Sequence, residues 1–240
     1  MNIKNSAQRL LIRHLGILAL LTLVASGVFG QARYSVTDLG TLGAESWAFG
    51  INNMGQVVGI SVPAESYYSH AFLYSDGRMT DLGTLPGGAY SYATGINNNG
   101  QVVGYSGSNG DFSDHGFLYS GGQMTQLGNL PGGTYGRAMG INNNGQVVGY
   151  SGSNGGGPQA CLFSGNNITY LGTSFANAIN NNGQIAGVTG TADGSAQAML
   201  YSSGSIIGLG ILPGGNYSVA NALNDHAQVV GYSGTYQNIN

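Results

Sequence analysis

The sequence predicts an all-β fold: a β-propeller of four-stranded antiparallel blades. Three observations lead there. The first is composition. Charged residues are 6% of the chain and glycine fills 44 positions, where an ordinary soluble domain is about one-quarter charged. Hydrophobic residues still reach 42%, with 15 tyrosines, so a core is available that a disordered chain lacks. The second is repetition. The stretch GINNNGQVVGYSGSNG runs from Gly95 to Gly110 and again from Gly140 to Gly155. The third is that both faces of the short apolar runs are hydrophobic, so each sheet needs a neighbour on either side.

The repeat has three markers in constant order. Aligned on the apolar residue before the asparagines, the copies begin at Ile51, Ile96, Ile141, Ile179 and Leu223, steps of 45, 45, 38 and 44 residues. A Leu-Gly marker begins at Leu39, Leu82, Leu127, Leu171 and Leu209. An aromatic run reads HAFLYS from His70, HGFLYS from His115, QACLFS from Gln159 and QAMLYS from Gln197. The short step arises because the fourth copy passes from Leu171 to SFANAINNNG without the LPGG turn.

Each unit divides into four strands. In the second they are MTDLGTL, SYATGIN, QVVGYS and HGFLYS, separated by Gly, Asn and Pro clusters of the kind that bound strands. Val102 and Val103 point to opposite faces, since side chains alternate along a strand. The glycines at 59, 104, 149, 187 and 231 fall mid-strand, where a neighbouring backbone is expected to come close. A β-solenoid is the alternative, but tight NNNG turns join antiparallel neighbours and parallel strands need long crossovers.

The NNNG separator reads as a hairpin. Met54 stands where other units have Asn, and Met resists a positive φ. A type I turn followed by one left-handed glycine asks only for the Gly, which assigns that role to Gly55, Gly100, Gly145 and Gly183. Ala227 replaces the glycine in the last unit, so a strained or differently built turn is expected there.

The N-terminus is a separate object. Lys4, Arg9 and Arg13 precede an apolar run from Leu15 to Gly30: a basic head, a short apolar stretch and small residues, the pattern of a secretory signal peptide. Residues 1–30 are assigned to it, with cleavage after 30 or 32, and 33–240 to the repeat domain. Removing the segment leaves Arg33, Arg78 and Arg137 against nine acidic residues, a net charge of −6 with no lysine. Phosphate binding needs basic groups, so nucleic acid is a poor partner, and no membrane insertion is expected after cleavage. The single Cys161 takes the place of Phe72, Phe117 and Met199 and reads as a small buried hydrophobe.

At the ends the register is incomplete. YSVTDLGTL from Tyr34 reads as a strand before the first unit. After Ser233 seven residues remain, one or two short of the next aromatic strand. The expectation is a fragment of a propeller of six to eight blades; the alternative is a five-bladed ring closed by the N-terminal strand.

DLGTLPGG, GINNNGQVVGYS and HAFLYS resemble the bacterial extracellular repeats of the HAF family, over nearly all of the chain after the signal segment. The resemblance implies an exported, repeat-built protein and no known reaction. The tripeptide itself is intact only at His70.

No constellation for catalysis emerges. Gln159 and Gln197 fill the places of His70 and His115, and Gln moves no protons, so hydrogen bonding at a strand start is the better account. Ser106 is followed by Gly107-Ser108 with no helix, which fails the Gly-x-Ser-x-Gly elbow. Calcium prefers carboxylates; Asn224 and Asp225 offer at most a weak site, and neither a metal nor a cofactor is expected. Variation is concentrated in the loops before the aromatic strand, which carry Glu65, Tyr67, Tyr68, Asp111, Phe112, Asp114 and Asp193. Variable loops on a rigid frame are where binding resides. The expected function is a monomeric, extracellular or cell-surface, non-enzymatic scaffold binding a glycan or surface protein. The alternative is a polysaccharide lyase or hydrolase, which needs paired carboxylates.

Overall fold

Alternating Val, Tyr and Gly runs bounded by Asn-Gly and Pro-Gly turns fold as antiparallel meanders. The computed structural model describes residues 35–109, 113–192 and 194–235. The predicted signal segment, its cleavage points, and Asp111, Phe112 and Asp193 lie outside the described residues. Residues 35–41 form no strand, which corrects the expected strand from Tyr34. The unit Leu39–Asn240 carries the sheets.

The first sheet is β1 (Gly43–Ile51), β2 (Val57–Pro63), β3 (His70–Ser75) and β4 (Arg78–Asp81). The second is β5 (Tyr90–Ile96), β6 (Val102–Gly107), β7 (His115–Ser120) and β8 (Gln123–Gln126). The third is β9 (Tyr135–Ile141), β10 (Val147–Ser153), β11 (Gly156–Ser164) and β12 (Asn167–Tyr170). The fourth is β13 (Phe175–Ile179), β14 (Ile185–Gly190), β15 (Ala196–Ser202) and β16 (Ser205–Gly208). The fifth holds β17 (Tyr217–Leu223) and β18 (Val229–Gly234). Neighbours pair in chain order and antiparallel throughout, which excludes a parallel solenoid.

The blade phase differs from the sequence reading by one strand. Met79-Thr80-Asp81 closes the first sheet by pairing with β3; it does not open the second. The reason is the two-residue turn at Asp76 (φ 53°) and Gly77 (φ 77°), a doubly left-handed hairpin whose twist matches its strands. The LPGG segment carries the chain to the next blade instead.

Successive blades pack through the same positions. Val58 and Val102 share one buried cluster with Leu82, Leu85, Ala93 and Phe117. Val103 and Val147 share the next with Leu130 and Ala138, and Val148 and Ile185 the third with Leu171 and Met199. Burying a side chain such as Phe117 stabilises by about 2–3 kcal/mol. The outer faces of the first and fifth blades stay open: Ala48 is exposed where Ala93 is buried, and Val230 is 63% exposed where Val103 is 0%.

Serines of the second strands, buried at Ser106 and Ser151 and half-buried at Ser233, staple neighbouring segments. Ser106 Oγ accepts from Leu85 N–H at 3.1 Å and donates to the Tyr90 carbonyl at 2.7 Å. Ser151 and Ser233 accept from Leu130 and Leu212 in the same way.

The NNNG turns do more than reverse the chain. Gly55, Gly100, Gly145 and Gly183 have φ of 76°, 73°, 74° and 76°, and Gly100 N–H donates to the Asn97 carbonyl at 3.1 Å. The asparagines then link the blades. Asn52, Asn97, Asn142 and Asn180 each donate from Nδ2 to the carbonyl of Asn97, Asn142, Asn180 and Asn224 in turn, at 2.9–3.0 Å. A second ladder runs beside it. The N–H groups of Asn53, Asn98, Asn143 and Asn181 donate to the side-chain oxygen of Asn98, Asn143, Asn181 and Asp225 at 2.9–3.0 Å.

Ala227 resolves the expectation for the last turn. It adopts φ 58° and donates N–H to the Asn224 carbonyl at 3.1 Å, as Gly145 does to Asn142. The turn is therefore built like the others, and the strain is that of an alanine in the left-handed region.

Candidate binding channel

The inner strands β1, β5, β9, β13 and β17 share an irregularity. Their pairing with the second strand skips one residue each: Phe49, Thr94, Met139, Asn177 and Asn221. This is a β-bulge, which locally re-aims a side chain. The mid-strand glycine opposite makes it feasible. A Cβ at Gly104 would lie 1.8 Å from the Tyr92 carbonyl oxygen, and one at Gly149 would lie 1.9 Å from that of Arg137. The five bulged residues line one cavity of about 520 Å³ between the inner strands, within the range of small-molecule sites.

Tyr92, Tyr105 and Arg137 complete the lining. The Tyr92 and Tyr105 rings stack at 5.1 Å with 5° between planes, and the Arg137 guanidinium lies 4.2 Å from the Tyr105 ring centroid, a cation–π contact. Arg137 Nε donates to Asp114 Oδ2 at 2.6 Å, and Tyr90 Oη donates to Asp114 Oδ1 at 2.6 Å. Burial, then the bond to Asp114, raises the Tyr90 hydroxyl pKa; burial also raises those of Tyr105 and Tyr150. All three phenols stay neutral donors at physiological pH. Tyr150 meets Phe175 edge-on at 5.2 Å, continuing the aromatic wall into the fourth blade.

The polar bulge residues also tie blades together. Thr94 Oγ1 donates to the Ala138 carbonyl at 2.9 Å and Asn177 Nδ2 to that of Ala220 at 2.8 Å. A second cavity of about 390 Å³ lies at the NNNG turns, ringed by Asn53, Asn98, Asn143, Asn181 and Asp225. Bonds from Asn181 hold the Asp225 carboxyl below its usual value.

The loop residues singled out by sequence divide. Asp114 is buried and anchors Arg137 at the channel. Glu65 and Tyr67 are exposed, and Tyr68 Oη accepts from Asn109 Nδ2, with no part in the lining. Tyr92, Tyr105, Arg137 and the bulge residues were missed. Their signal was present in the alignment: Trp47, Tyr92, Arg137, Phe175 and Val219 occupy one phase, four residues before the marker.

The histidines part company too. His70 Nδ1 lies 2.9 Å from Asp81 Oδ2, the hydrogen bond expected at a strand start. His115 Nδ1 is buried with no partner, so that account does not extend to it. Burial pushes the Cys161 thiol up to about 12, leaving it protonated. Among the described residues no three His, Cys, Asp or Glu side chains gather as a metal site.

No protein-family model matches this sequence, and no curated protein matches it. Solved structures do. TolB from Acinetobacter baumannii is similar at a TM-score of 0.51 and 16% identity, over 69% of this chain and 43% of that one. The β-propeller domain of the Trilobed protease from Pyrococcus furiosus aligns at 0.47 and 12%, over 70% and 55%. Aleuria aurantia lectin aligns at 0.42 and 13%, over 79% and 69%. The chain thus spans less than half the length of TolB. Its fold is that of a β-propeller, present among the described residues as four four-stranded blades and one two-stranded blade whose ring is not closed.

Proposed function

We propose that this protein is an exported, non-catalytic scaffold that binds a saccharide in the channel between its inner strands. The observation that carries the reading is the convergence of five bulged side chains on one cavity beside the Tyr92–Tyr105 stack. Aromatic faces cover the apolar faces of a sugar ring, while amides and hydroxyls take its hydroxyl groups. Asn221 supplies an exposed amide and Arg137 a fixed donor. The charge of Arg137 is balanced by Asp114, so a neutral sugar fits as well as an acidic one. Both Asp114 oxygens are engaged, and among the described residues the cavity lining holds no carboxylate of the facing pair that glycoside hydrolysis uses.

A glycan array with the secreted protein tests this, followed by calorimetry on Tyr92→Ala and Asn221→Ala. Binding weakened roughly tenfold or more by Tyr92→Ala supports the channel. Binding to no glycan overturns the saccharide reading, and unchanged affinity in both variants overturns the location. Export is tested by N-terminal sequencing of the secreted chain, expected to begin after residue 30 or 32.

A further inference from the structure

The channel cavity has a neighbour on every strand that lines it. The second cavity, of about 390 Å³, is lined by Ile51, Ile96, Ile141, Ile179 and Leu223 together with the turn residues that follow them. The bulged residues of the first lie two positions earlier on the same strands: Phe49 before Ile51, Thr94 before Ile96, Asn221 before Leu223. Two residues of strand rise by about 7 Å, so the two cavities adjoin. Gly50, Gly95, Gly140, Ala178 and Ala222 stand between them in sequence. None of these carries a side chain long enough to wall one cavity off from the other.

The chemistry changes from one end to the other. One end is the Tyr92–Tyr105 stack. The other is a rim of amides. Asn98 and Asn143 spend Oδ1 on the N–H of the preceding blade's asparagine. Their Nδ2 groups have no protein partner among the described residues, and both side chains are half-buried at the second cavity. Asn181 differs, since its Nδ2 donates to Asp225 Oδ2. The lining therefore combines unspent neutral donors with one carboxylate, Asp225, and among the described residues it holds no Lys or Arg. Hydroxyl groups, which both donate and accept, suit that mixture. An acidic group would meet Asp225 with no cation to offset it.

We propose that the two cavities form one extended site for a linear, neutral oligosaccharide, with one end stacked at Tyr92 and the far end bonded to Nδ2 of Asn98 and Asn143. This rests on the saccharide reading of the channel and adds to it a length, a charge and a direction. Tyr92 and Asn98 are six residues apart, a strand contour of about 20 Å. A single sugar ring is about as long as the spacing between neighbouring strands, about 5 Å, so about four rings cover the site and two do not.

The test is calorimetry of the full chain with linear oligosaccharides of glucose, xylose and mannose, graded from two to six units. Affinity should rise roughly tenfold or more between two and four units and then level off. Asn98→Ala should weaken binding of the five-unit ligand about three- to tenfold, the loss of one hydrogen bond, and spare the two-unit one, whereas Tyr92→Ala weakens both. Asn98→Ala also gives up the bond from Asn53 N–H. Asn53→Ala guards against that: its side chain lines the same cavity and makes no bond within the protein among the described residues, so the ladder is untouched and the same dependence on length is expected. Equal affinity for two and six units, a five-unit affinity unchanged in both rim variants, or an equal loss at both lengths overturns the extended site and leaves the Tyr92 end standing. Binding of acidic glycans alone on the array overturns the neutral ligand. Binding to no glycan overturns both readings.

Discussion

Asn142 is the point at which the inter-blade ladder can be tested with least ambiguity. Its side chain is buried and uses its full capacity. Oδ1 accepts from the N–H groups of Asn144 at 3.1 Å and Gln146 at 3.0 Å. Nδ2 donates to Gln146 Oε1 at 2.8 Å and to the Asn180 carbonyl in the next blade at 3.0 Å. Four bonds at about 0.5–1.5 kcal/mol each, partly recovered by water at half-buried Gln146, put Asn142→Ala at about 2–4 kcal/mol destabilising. Asn142→Asp keeps both acceptors and sets a carboxylate against the Asn180 carbonyl, so at pH 7 it should cost more, about 3–5 kcal/mol. Its folded pKa is raised above the unfolded value, by burial and by the facing carbonyl. The penalty is therefore full above that raised pKa and is relieved as pH falls through it, when the protonated acid donates to Asn180. Urea unfolding followed by circular dichroism at pH 7 and pH 5 measures both. Asn224→Ala is the control: that residue is exposed and, among the described residues, its side chain bonds within its own turn and to no other blade. If Asn142→Ala costs no more than Asn224→Ala, or Asn142→Asp is independent of pH, the ladder does not hold the blades.

Ala227→Gly should raise stability by up to about 1 kcal/mol. It removes the left-handed penalty at φ 58° and gives part of the gain back through the freer unfolded chain, and a thermal melt reads the balance. Gly104→Ala should prevent folding of the second blade, because its Cβ would lie 1.8 Å from the Tyr92 carbonyl oxygen; hydrogen exchange at β5 and β6 reports it. Arg137→Ala strips the charged partner from Asp114, whose side chain is 8% exposed and keeps the Tyr90 hydroxyl, and should cost about 2–3 kcal/mol in thermal unfolding at pH 7. The double change Asp114→Asn, Arg137→Ala should recover part of that loss. The Asp225 carboxyl is held below its usual 3.8 by bonds from Asn181, so its contribution is complete above that value and is lost as pH falls through the lowered one. Acid-induced opening between the fourth and fifth blades, followed by hydrogen exchange, should lose this component in Asp225→Asn.

The strands, their antiparallel order and the left-handed glycines were legible because they rest on local chemistry: period-two apolar runs and turns that only Gly enters easily. The blade phase was misread because MTDLGTL is continuous in sequence, while the chain leaves one sheet and enters the next within it. The asparagine ladders were invisible for a different reason. Asn97 satisfies its own turn through Oδ1, so turn propensity alone explained its presence. Its Nδ2 bond spans 45 residues. The channel was missed because strict alternation along SYATGIN assigns Thr94 to a blade face, and only the bulge turns it toward the axis. Asp114 was found for its loop and proves to matter for its bond to Arg137.

This division explains which residues recur. An asparagine in the ladder faces two neighbours at once: Asn142 donates to Asn180 while its own carbonyl accepts from Asn97. A change there disturbs two interfaces and the turn, so one blade cannot drift from the others. Met54 in the place of Asn99 loses only the outermost bond, since Asn99 Nδ2 reaches the Asn143 carbonyl at an exposed position. The bulge residues are held differently. Where they bond across blades they meet a backbone carbonyl, at Ala138 or Ala220, which makes no demand on its own side chain. Phe49 and Met139 occupy the same position with no such bond available to them. Repetition is thus enforced at the turns and relaxed in the channel.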